Sequence, residues 1–89
     1  LVLDKKALVL REQILGKNHI HTIQSYNNLA QLYFSCGNID NAKKLFIKSI
    51  YNITKVNVNE KNSEITILSE KSTLYSNYGS FLIKIEYKN

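Results

Sequence analysis

Tyr26-Asn27-Asn28-Leu29-Ala30-Gln31-Leu32-Tyr33 decides the fold, because Tyr75-Ser76-Asn77-Tyr78-Gly79-Ser80-Phe81-Leu82 repeats its pattern at an offset of 49. Both blocks run aromatic, polar, Asn, large, small, polar, large, large. A weaker echo at an offset of 42 links Ala7-Leu8 and Ile14 to Ser49-Ile50 and Val56. Two kinds of segment therefore alternate with a period near 42 residues, the mark of stacked repeat units. The extra residues of the longer offset fall in 57–65, where an insertion is cheap because loop-closure entropy grows only logarithmically with length.

Working outward from the first block, apolar spacing predicts helices over about 2–15, 20–36, 39–56 and 63–86. Leu3, Ala7, Leu10 and Ile14 make the first stripe, with Arg11 near its end and Gly16 as its stop. Ile23, Tyr26, Ala30 and Tyr33 make the second, widened by Leu29 and Leu32; Asn18 is placed to cap its start and Gly37-Asn38 to end it. Ala42, Phe46, Ser49 or Ile50, and Ile53 make the third, with Asp40 at the positive end of its dipole. Leu68, Leu74 or Tyr75, Tyr78, Phe81 or Leu82, and Ile85 make the fourth, although Ile65-Thr66-Ile67 has local strand preference. The chain has no proline and only three glycines, so little interrupts long helices. The expected fold is all-α: four helices in about two antiparallel pairs. Small Ala30, Gly79 and Ala42 serve as notches beside large Tyr33 and Phe46, which fixes how neighbouring helices cross.

The series Tyr26, Leu29, Ala30, Tyr33, Gly37, Ile39, Ala42, Phe46, Ser49, Ile50 resembles the tetratricopeptide-repeat (TPR) consensus. Residues 7–19, Ala7-Leu8-Val9-Leu10-Arg11-Glu12-Gln13-Ile14-Leu15-Gly16-Lys17-Asn18-His19, running into Thr22 and 26–30, look like the 42-residue repeats of kinesin light chains. The likeness is strong over 3–50 and weak over 51–89. Ile20 replaces a customary Pro, Asp4 a customary aromatic of the second helix of a pair, and Glu86 the turn Gly, so the fourth helix is either a degenerate repeat or a terminal cap. The resemblance implies a right-handed α-α superhelix, a non-catalytic scaffold, and a concave groove in which the first helices of the pairs hold a partner's peptide.

A polar line on the expected groove face matches that implication. Gln24, Asn28, Gln31 and Ser35 follow helical spacing, and Thr73, Asn77, Ser80 and Lys84 repeat it at the offset of 49. The resemblance places Asn28 and Asn77 where the family often uses Asn against a ligand backbone. An amide both donates and accepts, so it can pair with any peptide group. Asn27 takes the role of Asn28 if the helix is rotated. The plainer alternative is that all nine are solvated helix positions.

Charge and composition narrow the function classes. Twelve Lys and Arg against seven Asp and Glu give a net charge of +5, but no basic run exceeds two residues. Solvated helix faces explain this better than a nucleic-acid surface, and the balance suits a partner of some acidic character. No stretch reaches the roughly 18 apolar residues of a membrane span. The single cysteine, Cys36, excludes an internal disulfide and fits a reducing, cytoplasmic setting; its alignment with Ile85 makes it a packing residue. His19-x-His21 has no cysteine or carboxylate companions for zinc, so His19 reads as a structural loop residue. Gly16-Lys17-Asn18 lacks the glycine and hydroxyl of a phosphate loop. No cofactor or catalytic set is expected. Asn52-Ile53-Thr54 matches a glycosylation pattern but lies inside a helix, and the six tyrosines read mostly as core. The start at Leu1 and the lack of Met read as a piece of a longer protein, one that, isolated, could self-associate. Two other functions fit the same fold: a structural solenoid segment or oligomer contact without groove ligand, and, less well supported, an RNA-binding repeat.

Overall fold

The computed structural model describes residues 2–59 and 62–88, without the side chains of Val2, Leu3 and Lys88. Leu3, assigned above to the first stripe, lies outside the described side chains. Four helices follow one another: α1 Val2–Leu15, α2 Ile20–Ser35, α3 Ile39–Ile53 and α4 Glu64–Lys88. No strand occurs among the described residues, and the segment 65–67 is helical. The chain is an all-α helical repeat of about two repeats.

Its turns follow from local chemistry. Gly16 adopts φ +85 and its N–H reaches the Glu12 carbonyl at 3.1 Å. Gly37 adopts φ +83, and the N–H groups of Gly37 and Asn38 donate to Phe34 and Tyr33 carbonyls at 3.0 and 2.8 Å. This pairing satisfies the last carbonyls of α2 through a left-handed residue that glycine supplies without strain. Asn38 then caps α3 by accepting from the Asn41 N–H. α2 is capped by His19 and not by Asn18: the His19 Nδ1 accepts from the His21 N–H at 3.1 Å. Short connections after α1 and α2 make their neighbours antiparallel. α3 ends at Ile53, three residues before the expected 56, where the β-branched Ile53, Thr54 and Val56 cluster. α4 runs on through Glu86 to Lys88 because the position equivalent to Gly37 holds no glycine.

The core is a single seam. Ile23, Tyr26, Ala30, Ala42, Phe46, Ser49, Ile53, Leu74 and Phe81 are all at most 2% exposed. The rings of Phe34, Phe46, Tyr78 and Phe81 tie α2, α3 and α4, with Phe81 at 5.1 Å from Phe34 and 4.9 Å from Phe46. Among the described residues, α1 packs on no helix but α2. The molecule measures 44 × 27 × 14 Å, a thin slab one row of helices long.

The structure corrects several of the expectations drawn from spacing. On α1 the apolar residue that is buried is Leu8, whereas Ala7, Leu10 and Ile14 are exposed, Ala7 at the rim of a hollow between α1 and α2. Arg11 does not serve the end of α1; its guanidinium donates to the His21 carbonyl and to Ser25 on α2. Leu32 and Leu68 are exposed, and α4 buries Ile67, Leu74 and Phe81 instead. Ala30 is a true notch, but nothing lies within 4 Å of the place a Cβ would take at Gly79. Cys36 is the exposed C-cap of α2, not a packing residue. Tyr51, Tyr75 and Tyr87 are exposed, so only half of the tyrosines belong inside.

Candidate binding groove between the second and fourth helices

α2 and α4 lie side by side, and part of their polar line faces a shared surface. At one end Gln24 donates from Nε2 to Glu70 at 2.7 Å, a direct tie between the helices. Beyond it the helices part enough to leave an open hollow of about 300 Å³ lined by Gln31, Ser35, Asn77, Ser80 and Lys84, with Phe34, Phe46 and Phe81 also in its wall. A second hollow of about 500 Å³, lined by Phe34, Ser35, Ile83, Lys84 and Tyr87, shares three of these residues. The two form one groove at the C-terminal ends of α2 and α4.

Five of the nine residues on the expected polar line thus surround one hollow. The other four do not. Gln24 is engaged with Glu70. Asn28 lines a smaller hollow of about 170 Å³ between α1 and α2, with Asp4, Ala7, Arg11, Ser25 and Leu29. Thr73 is exposed and turns its hydroxyl back onto the Ser69 carbonyl at 3.2 Å. Asn27 is buried at 6% exposure, and its Oδ1 has no hydrogen-bond partner among the described residues. The helix is therefore not rotated to exchange Asn27 for Asn28.

Residues that sequence reasoning passed over are Phe34, Ile83 and Tyr87. Phe34 and Ile83 stand at the same offset of 49 as the polar line, so extending the comparison of 26–33 with 75–82 by one residue finds them. Phe34 and Phe81 meet edge-on, with planes at 84°, and give the groove a rigid apolar floor. What the arrangement can do chemically is bind: amides and hydroxyls that donate and accept, one ammonium, and flat apolar surface. Among the described residues no three His, Cys, Asp or Glu converge as a metal set, and no helix is long and apolar enough to cross a membrane.

Antiparallel helices in a row, turning through Gly16 and Gly37 with Ala30 and Ala42 buried, define a helical repeat protein. Residues 22–51, which cover α2 from Thr22 and most of α3, match the family model of the tetratricopeptide repeat. The match supports a TPR-type repeat over this stretch, and such repeats generally mediate protein–protein interaction. No curated protein and no solved structure matches the chain.

Proposed function

We propose that this chain is a non-catalytic scaffold that holds a peptide of a partner protein in the groove between α2 and α4. The observation that carries this is the convergence of Gln31, Ser35, Asn77, Ser80 and Lys84, from two helices, on one hollow walled by Phe46 and Phe81. Polar groups able to pair with a peptide backbone stand over an apolar floor able to take a side chain, the usual anatomy of a peptide groove. Lys84 lines both hollows, and with the net charge of +5 it favours a peptide of acidic character. The 42-residue spacing of α1 and α3 supports the kinesin-light-chain-like variant of the repeat. Cys36, exposed and outside any disulfide, fits a reducing cytoplasmic setting.

The test is selection of binding peptides from a random display library, followed by calorimetry on variants. Asn77→Ala and Lys84→Ala each weaken a selected peptide about tenfold, or about 1.4 kcal/mol, with unchanged helix content. Thr73→Ala, outside the groove, leaves affinity unchanged. Undiminished affinity in both groove variants removes the reading.

A further inference from the structure

Resting on the groove reading above, we propose that the partner's segment carries charges of both signs in a fixed order. A basic residue meets Glu70 at one end of the groove, and an acidic residue meets Lys84 at the other.

The spacing on α4 makes this possible. Glu70, Asn77 and Lys84 follow one another at intervals of seven residues, just short of two helical turns, so all three fall on one line along the helix. Their contacts show which way that line faces. Glu70 accepts from Gln24 of α2, and Asn77 and Lys84 line the hollow between the two helices with Gln31 and Ser35. The line therefore borders α2 from end to end. At the rise of an α-helix, Glu70 and Lys84 stand roughly 21 Å apart along the axis. An extended peptide covers that span in about six residues.

The charges at the two ends are not neutralised within the chain. Glu70 is half-buried and takes one hydrogen bond, at Oε1, from the neutral amide of Gln24 at 2.7 Å. A carboxylate has about four acceptor positions on its two oxygens, so Oε2 is left for a cation. Gln24 thus holds the group in place without cancelling its charge. Lys71, the next residue in the chain, lines a separate hollow with Glu64 and Ile67. At the other end Lys84 is exposed and lines both hollows of the groove. Neither charge meets an opposite one among the described residues. Between them Gln31, Ser35, Asn77 and Ser80 offer neutral donors and acceptors. A groove with an acid at one end and a base at the other tells the two ends of a partner apart, because the reversed order sets like charges together. The acidic character of the partner is therefore local to the Lys84 end; a uniformly acidic segment would press a carboxylate against Glu70.

Fluorescence polarisation of the whole chain with pools of labelled heptapeptides, uncharged and mixed at the five middle positions, tests this. One pool begins with Lys and ends with Glu, a second has the reverse order, and a third has Glu at both ends. One of the two mixed-charge pools should bind about tenfold tighter than the other two pools. Glu70→Gln, which keeps an amide oxygen for Gln24, should erase its advantage over the pool with Glu at both ends. Glu70→Lys/Lys84→Glu should reverse the preferred order, with circular dichroism verifying that each variant folds. Equal binding of both orders, or a preference that survives Glu70→Gln, overturns the proposal. Asn77→Ala separates that result from failure of the groove itself. If the pools bind without regard to order and Asn77→Ala weakens them all, the groove stands and the charge order falls. If no pool binds, or Asn77→Ala changes nothing, the groove falls and the charge order with it.

Discussion

Tyr26 shows how one residue couples burial, hydrogen bonding and charge. Its side chain is fully buried, yet its hydroxyl donates to a Glu12 carboxylate oxygen at 3.0 Å, and its ring receives Lys48 on one face. Burial first, and then the hydrogen bond and negative charge of Glu12, push the phenol well above its ordinary range. The sign of the resulting pH dependence follows. A folded-state value above the unfolded one means the neutral phenol is favoured by the fold; that contribution is fully present below about pH 10, where unfolded tyrosine ionises. It is lost as pH rises through the folded value, because the unfolded chain releases the proton more readily. Tyr26→Phe should therefore cost about 1 kcal/mol at neutral pH through the lost hydrogen bond. Above about pH 10 the gap between variant and wild type should narrow, then reverse, in urea titrations run across pH. A constant gap at every pH would show that the phenol titrates alike in both states. The two buried asparagines make the same point about context. Asn52 donates to the Lys17 carbonyl at 3.4 Å, while the Asn27 oxygen is left without a partner among the described residues, and nothing in composition or spacing separates them.

At the scale of the helix, the glycines separate what backbone conformation requires from what packing requires. Gly37 stands at φ +83 with nothing within 4 Å of the place a Cβ would occupy, so space is free and only the left-handed backbone resists a side chain. Gly37→Ala should cost about 1–2 kcal/mol, and Gly37→Asn less, since Asn tolerates that region. Gly79 has ordinary helical φ and equally free space. Gly79→Ala should raise stability by up to about 1 kcal/mol through helix propensity. Thermal melts at low protein concentration decide both; a destabilised Gly79→Ala would mean that something covers the position in the folded monomer. The same contrast explains how much was legible in the sequence. Existence and extent of the helices follow from apolar spacing and from Gly16 and Gly37, because these act within one turn of chain. Which face of a helix is buried depends on how many neighbours it has. α2, flanked on several sides, buries its stripe of Ile23, Tyr26, Ala30 and Tyr33 as periodicity dictates. α1 and α4 have neighbours on one side only, so Leu8 is chosen over Leu10, and Leu74 and Phe81 over Tyr75 and Leu82. The groove was half legible for a like reason. The polar line of Gln31, Ser35, Asn77, Ser80 and Lys84 is a matter of helical angle and offset, whereas the withdrawal of Gln24 to Glu70 depends on a residue 46 positions away.

Across the whole molecule, the row of helices strings its one continuous core along a chain of neighbouring contacts. The Cα radius of gyration of 13.3 Å exceeds the roughly 12 Å expected of a compact chain this long, and the 14 Å thickness leaves room for a single layer of buried side chains. A chain of this size has about 4–13 kcal/mol to lose in total. Phe81 is the strongest link of α4 to the rest: it is 1% exposed and its ring contacts Phe34 of α2 and Phe46 of α3, besides Tyr78 of its own helix. Phe81→Ala should remove about 3–5 kcal/mol, a large share of the whole. In a compact domain that loss would lower protection everywhere. Here α2 and α3 also pack directly on one another without Phe81, and Ile23, Tyr26 and Ala30 of α2 and Ala42 of α3 are fully buried. Native-state hydrogen exchange of Phe81→Ala should therefore show the amides of 70–85 losing most of their protection while those of 26–33 and 42–50 keep the larger part of theirs. Uniform loss across all three helices would contradict the one-dimensional architecture and return the molecule to a single cooperative core. The expected pattern also bears on the groove, since its two walls belong to α2 and α4: a partner that bridges Gln31 and Asn77 would bind only the docked form, and by mass action would restore protection to α4 in proportion to its concentration.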